Sequence, residues 1–242
     1  MPFTSERRLT PERFAQGMTF DEYVAYTGTP ENLAREANSW LGTVRRDFSH
    51  LLRMWYEGPA RLSQAQADAA RWLAAQPNGP ARILVISEEW SSDCRRDVPV
   101  LARMAEAAGM ELRIFRRDGL RAGRTPRADP AESPNADLMN MFLNEKHGQT
   151  FQSVPVAAFY TRDFEYLYHY IEMPTIYHKM RLADSTRAAR PGETTEQTWD
   201  RFMTEWRALQ LSPFFPVWTS ATANQILSAL YERMTVGSLP AA

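Results

Sequence analysis

Cysteine is nearly absent: Cys94 stands alone in 242 residues. One thiol excludes an intramolecular disulfide and hence a disulfide-stapled secreted scaffold, and it suits a reducing cytosol. No Cys-X-X-Cys and no His-Glu-X-X-His occurs, and there are 4 histidines in all. The spacing of a metal site is therefore missing, and no metal or cofactor is expected. Nowhere do about 18 apolar residues run uninterrupted, the length a membrane helix needs. The start, Met1-Pro2-Phe3-Thr4-Ser5-Glu6-Arg7-Arg8, has no apolar core of a targeting signal. An excess charge of one sign is lacking too, with 28 basic residues against 29 acidic ones. Bulk attraction to nucleic acid or to an anionic membrane surface is thereby excluded. No internal repeat or low-complexity tract is present. What remains is a chain with 44% hydrophobic residues, enough for a sizeable core, and the expectation is a soluble cytoplasmic protein.

The most informative stretch is Arg82 to Val100. Ile83-Leu84-Val85-Ile86 follows the turn signals Pro77-Asn78-Gly79-Pro80 and reads as a short strand buried on both faces. A Ser/Asp cluster comes next. The apolar period then changes: Val98, Leu101, Ala102, Ala105 and Ala108 recur at three and four, so a helix follows and Gly109 stops it. A strand running straight into a helix N-terminus places Ser91 to Cys94 among unpaired N–H groups and the positive end of the dipole.

Around this unit the chain is mostly helical. Thr10-Pro11-Glu12, Thr19 with Glu22, and Thr29-Pro30-Glu31 are N-terminal capping signals. Leu33, Ala37, Trp40, Leu41, Val44, Phe48, Leu51, Leu52 and Trp55 predict one long amphipathic helix from Glu31 to Tyr56, and Ser63 with Gln66 boxes another over Ala65 to Ala75. Met110 to Phe115 predicts a strand parallel to the first, reached by a helical crossover. Arg116 to Ser133 reads as a long loop, and Ser133-Pro134-Asn135 as the cap of a helix ending near His147-Gly148. Val154 to Thr161 and Phe164 to Ile171 form a hairpin about Arg162-Asp163. Helices over Thr175 to Ala189, Thr194 to Leu211 and Ala221 to Met234 complete the reading, with residues from Val236 onward fraying.

A buried strand, then Trp90-Ser91-Ser92-Asp93-Cys94, then a helix with Pro99 inside it, resembles the thioredoxin superfamily. That family carries Trp-Cys-X-X-Cys at this junction. Ser153-Val154-Pro155 before the strand Val156 to Tyr160 resembles the family's cis-proline segment, which faces the active motif. More narrowly, Leu84 to Tyr166 is similar to a bacterial thioredoxin-like group with a helical leader and a Trp-Cys-Gly-Asp segment. The resemblance implies a central mixed sheet in the order βαβαββα with additional N-terminal and C-terminal helices. Periodicity alone gives the same order. It also implies that Ser91 occupies the place of the attacking cysteine and Cys94 that of the resolving one. Trp90 becomes an apolar wall, with Ser92 and Asp93 lining the site, while Val154 and Pro155 present backbone to an extended peptide.

A serine hydroxyl cannot replace an attacking thiolate without a base, and no histidine adjoins it. Cys94 alone cannot run a dithiol cycle. Three readings stand open. Cys94 packs as a small buried hydrophobe and the fold binds a peptide, a protein or a small thiol. Alternatively Cys94 acts as a single thiol, forming a mixed disulfide with a protein or small thiol; Arg95 and Arg96 favour its thiolate while Glu88, Glu89, Asp93 and Asp97 oppose it. Third, Ser91 holds a thiolate in a glutathione-binding, transferase-like protein, although Ile171-Glu172-Met173-Pro174 stands where such proteins have an acidic-Ser pair. The exposure and acidity of Cys94 separate binding from redox chemistry.

Lesser candidates are a loop with Arg113, Arg116, Arg117, Arg121, Arg124 and Arg127, read as solvated and mobile because acids are interspersed, and His169 and His178 with Glu172, whose spacing does not suit a metal. Tyr160, Tyr166, Tyr168, Tyr170 and Tyr177 read as packing rather than base stacking. The expected organisation is a helical extension over 1–78, a thioredoxin-like domain over 79–189, and C-terminal helices over 190–242 in the same globular unit. Seven tryptophans and the aromatic helix stripes make a second copy of the chain a candidate partner.

Overall fold

The structure, a computed structural model, describes residues 7–35, 45–123 and 125–237. Three short helices come first: α1 (Pro11–Ala15), α2 (Phe20–Thr27) and α3 (Pro30–Leu33). The side chains of Thr10, Thr19 and Thr29 each accept an N–H from the first turn, and Thr19 with Glu22 closes a full capping box. Helices α4 (Ser49–Glu57) and α5 (Gln64–Ala74) follow, the second boxed by Ser63 and Gln66.

The sheet then begins. β1 (Arg82–Ser87) leads through α6 (Ser92–Ala108) to β2 (Glu111–Arg116). β1 and β2 are parallel, in the register Ile83 opposite Leu112 and Val85 opposite Ile114. After α7 (Ala136–Met139) and a small hairpin of β3 (Asn144–Lys146) and β4 (Gln149–Phe151), β5 (Val156–Tyr160) returns antiparallel to β1, and β6 (Tyr166–Ile171) pairs with β5. The strand order is β2-β1-β5-β6. β1 and β5 are therefore central, which explains why Ile83 to Ile86 and all of β5 are buried without alternation. On the outer edge of β2, Met18 exchanges both backbone hydrogen bonds with Ile114 at 2.9 and 2.7 Å, which protects that edge from further pairing.

Helices α8 (Lys179–Arg187), α9 (Thr195–Gln210) and α10 (Phe214–Val236) close the chain. α6 packs against β1 and β2 while α4, α5 and α10 pack against α6. Most of α6 is therefore buried, including Val98, Leu101, Ala102 and Ala105 of the expected stripe. Gly109 ends it at φ +66°.

Four expectations need correction. The single helix over Glu31 to Tyr56 is broken: α3 stops at Leu33, Arg45 to Phe48 is irregular, and α4 starts afresh at Ser49, whose N–H donates to Asp47 Oδ1 at 2.8 Å. Its middle, 36–44, lies outside the described residues. The break lets Arg35 and Arg45 turn into the core, where each is nearly wholly buried, instead of lying on a solvated helix face. The helix expected to end near His147 stops at Met139, because His147 (φ +52°) and Gly148 (φ +73°) form a tight turn between β3 and β4. α8 starts only at Lys179. α10 begins ahead of its expected start and carries Pro216 in its first turn, where no N–H is needed. The end of the chain, 238–242, where fraying was expected, lies outside the described residues.

At Gly109 a Cβ would meet nothing within 4 Å, so only the left-handed backbone resists substitution. Gly109→Ala is expected to lower unfolding stability by about 1–2 kcal/mol, read from the urea midpoint at unchanged slope.

Candidate functional site

The turn between β1 and α6 carries more buried charge than any sequence pattern announces. Glu88, Glu89, Asp93, Arg96 and Asp97 are each at most 1% exposed. Isolated ions in such a place are prohibitively costly. They persist because they are paired in two networks on either side of Cys94.

The first network receives Glu88 and Glu89. Arg45 Nη1 lies 2.7 Å from a carboxylate oxygen of each, and Arg35 Nη2 donates to Glu88 Oε1 at 3.0 Å. Asn32 Nδ2 donates to Glu89 Oε1, also at 3.0 Å. The backbone N–H of Asp118 donates to Glu88 at 2.7 Å, and Asp118 itself accepts from Arg117 Nε at 2.8 Å and from Trp90 Nε1 at 3.1 Å. Burial, then the neighbouring Asp118, push the Glu88 carboxyl up to about 7 against the pull of Arg35 and Arg45. Arg117 and Asp118 are thus buried, which corrects the picture of a wholly solvated arginine loop; Arg124 of that loop lies outside the described residues.

The second network binds the first turns of α6 to the C-terminal segment. Arg96 reaches Asp93 Oδ1 at 2.8 Å and Asp97 Oδ2 at 2.7 Å. Asp97 also accepts from Tyr170 Oη at 2.8 Å and Thr222 Oγ1 at 2.9 Å. Lys179 forms an ion pair with Asp93, and the Arg96 guanidinium lies 4.8 Å from the Tyr177 ring centre. The Val154–Pro155 bond is cis, both residues are buried, and the Pro155 carbonyl accepts the Glu172 N–H at 2.7 Å. The Glu172 carbonyl in turn accepts from Arg96 Nη2 at 3.3 Å. Pro155 is therefore linked to the α6 turn through one residue, and Glu172 to Lys179 lies over that turn.

Between the networks sits Cys94, with no exposed surface. The Glu88 N–H points at its Sγ at 3.4 Å. Burial pushes the thiol up to about 12, although hydrogen bonds from Ser87 and Ser91 pull the other way. Ser91 is the N-cap of α6 but makes no side-chain capping bond, and it and Ser92 are almost entirely buried. Of Trp90, Ser91, Ser92, Asp93, Cys94, Val154 and Pro155, Trp90 alone keeps partial exposure. At neutral pH this arrangement supplies neither a thiolate nor an alkoxide.

Sequence reasoning missed Arg35, Arg45, Asp118, Tyr170, Lys179 and Thr222. One signal was readable: two adjacent glutamates one residue past the apolar run Ile83 to Ile86, which need cation partners where the chain stays buried. The sequence does not say which arginines supply them. His169, Glu172 and His178 do not converge on a metal, and among the described residues no group of three or more His, Cys, Asp or Glu is placed to hold one. His169 is instead bonded through Nδ1 to the Tyr166 hydroxyl, and burial draws its pKa down to about 4.

Two outcomes follow from these charges. Replacing Arg96 by Met leaves Asp97 without a cation and Asp93 with Lys179 alone, and is expected to cost about 3–5 kcal/mol. Arg190→Ala removes an exposed partner of Glu205 and is expected to cost under about 1 kcal/mol, both read by urea unfolding. For His169, protonation is favoured in the unfolded chain, so its contribution is complete above about pH 6.5 and is lost as pH falls toward 4. His169→Gln is expected to flatten that acid-side slope in unfolding stability measured across this window.

Residues 50–122 match the family model described as thioredoxin, a span that contains β1, the turn, α6 and β2. No curated protein matches the chain. Among solved structures, the chain is similar to a protein of unknown function from Pseudomonas aeruginosa, at 14% identity, with 90% of this chain and 94% of that one covered and a TM-score of 0.47. It is similar as well to an HIV epitope-scaffold, at 14% identity, 91% and 96% coverage and a TM-score of 0.46. Among the described residues no helix is long and apolar enough to cross a membrane. With β1, α6 and β2 inside the matched span and the mixed sheet completed by β5 and β6, this chain carries a thioredoxin-like domain.

Proposed function

We propose that this thioredoxin-like protein acts by binding, with Trp90-Ser91-Ser92-Asp93-Cys94 a degenerate form of the dithiol motif. The observation that carries the reading is the state of Cys94: fully buried, without a second thiol, and with its acidity suppressed to about 12. Thiol exchange needs an accessible thiolate, and a group with that pKa supplies a negligible fraction of it at neutral pH. The surrounding ion pairs support the same reading. Arg35, Arg45 and Arg96 are occupied by Glu88, Glu89, Asp93 and Asp97, and Arg95 is held by the Glu89 and Trp90 carbonyls and the Gln210 amide. The partner class is a peptide, a protein or a small thiol held without exchange, in the cytoplasm.

Intact native protein treated with iodoacetamide near pH 8 is expected to remain unlabelled at Cys94 by mass spectrometry until denaturant is added. It is likewise expected to show no catalysis of insulin reduction by dithiothreitol. Glutathione disulfide is expected to leave the mass unchanged. Rapid native labelling or a stable glutathione adduct overturns the reading in favour of single-thiol chemistry. Ser91→Cys supplies the missing sulfur; an oxidant is expected to couple it to Cys94, seen as loss of two hydrogens in the intact mass.

A further inference from the structure

The arginines buried about the β1–α6 turn are not equivalent. Arg35, Arg45, Arg96 and Arg117 each contact a carboxylate, at 3.0, 2.7, 2.7 and 2.8 Å. Arg95 is 7% exposed and, among the described residues, forms an ion pair with none. Its Nη1 donates to the carbonyls of Glu89 and Trp90, both at 2.8 Å, and its Cζ lies 4.2 Å from the centre of the Phe48 ring. Nη2 donates to the amide oxygen of Gln210 at 2.9 Å, while Nε has no partner. Burial draws the group down to about 10, against the pull of the neighbouring Asp93 and Glu89, neither of which forms an ion pair with it.

The pattern of used and unused donors is specific. Nη1 is occupied by the turn itself. The Nε–Nη2 edge, the side of the guanidinium that matches two oxygens of one carboxylate or phosphate, is half filled by a neutral amide with a single oxygen. That edge lies in the first turn of α6, a 17-residue helix whose N-cap Ser91 makes no side-chain capping bond, so the positive end of the dipole adds to it. Gln210 is the last residue of α9, and α9 has Phe202 as its buried residue and packs chiefly on α8. The amide is thus carried on a lightly held element and can be displaced.

We propose that Arg95 binds an oxyanion of the ligand, a carboxylate or a phosphate group that takes the place of the Gln210 amide on Nη2 and fills Nε. This rests on the binding reading above and specifies what the ligand must present. A peptide side chain, a chain terminus and a small organic acid or phosphate share this chemistry.

The test uses the full chain, its Gln210→Ala variant and its Gln210→Glu variant, with inorganic phosphate and succinate as probes and sodium chloride at matched ionic strength as control. In the wild type, phosphate or succinate is expected to raise the thermal midpoint saturably beyond the chloride control. Gln210→Ala is expected to reach saturation at lower concentration. Gln210→Glu places a carboxylate on the open edge: its midpoint without probe is expected to rise by about 2–4 °C, despite an acid at a helix C-terminus, and its response to probe to vanish. A response to phosphate alone assigns a phosphorylated ligand, and one to both assigns a carboxylate as sufficient. Midpoints that follow ionic strength alone in the wild type and Gln210→Ala overturn the proposal, as does a Gln210→Glu protein that still responds. If the anions fail while Cys94 stays unreactive, only the oxyanion assignment falls. If Cys94 exchanges with glutathione disulfide, the binding reading itself falls.

Discussion

Charge neutralisation at the end of β1 is the constraint on which the rest of this structure depends. Ile83 to Ile86 must be buried on both faces because β1 lies between β2 and β5, and the chain then continues directly into Glu88 and Glu89 without leaving the interior. Two carboxylates in that position are tolerable only with cations at hydrogen-bond distance. Arg35 and Arg45 provide them, and the irregular backbone around these residues is the cost. The side chains of Arg35 and Arg45 are thereby fixed to the β1–α6 turn rather than lying on the surface.

A parallel constraint acts one helical turn further on. Asp93 and Asp97 lie on the buried side of α6, and Arg96 between them pairs with both and donates to the Glu172 carbonyl just after β6. Tyr170, Thr222 and Lys179 complete the set. The two networks draw the N-terminal helices and the C-terminal helices onto the same short stretch of sequence. In doing so they enclose Cys94, which has no exposed surface. For a thiol this fully buried, desolvation is the largest influence on its acidity and outweighs the hydrogen bonds that pull the other way.

Much of the scaffold was legible from local pattern. The β1–α6–β2 unit, the β5–β6 hairpin, the caps at Thr10, Thr19, Thr29 and Ser63, and the stop at Gly109 all follow from signals a few residues long. Errors fell where an apolar period continued through a stretch that tertiary contacts broke. Leu33 to Trp55 keeps helical spacing, but Arg35 and Arg45 within it serve the core; Leu138 to Phe142 keeps it too, but His147-Gly148 favours a hairpin turn. The charged residues Arg117 and Asp118 looked like solvated loop because a sequence shows charge and not its partner.

By itself, then, the sequence determined that a buried strand runs into a helix with Ser91 and Cys94 at the junction, and that no second thiol exists to complete a redox pair. Those are local facts, written in periodicity and in residue identity. Only the tertiary structure decided that Cys94 has no access to solvent, that Glu88 and Glu89 meet Arg35 and Arg45, and that Arg95 alone among the buried arginines of this turn, as described, lacks an acid. Burial and ion pairing depend on segments 40 or more residues apart meeting at distances of about 3 Å, the range over which hydrogen-bonded charges interact, and such meetings leave no mark in the local order of residues.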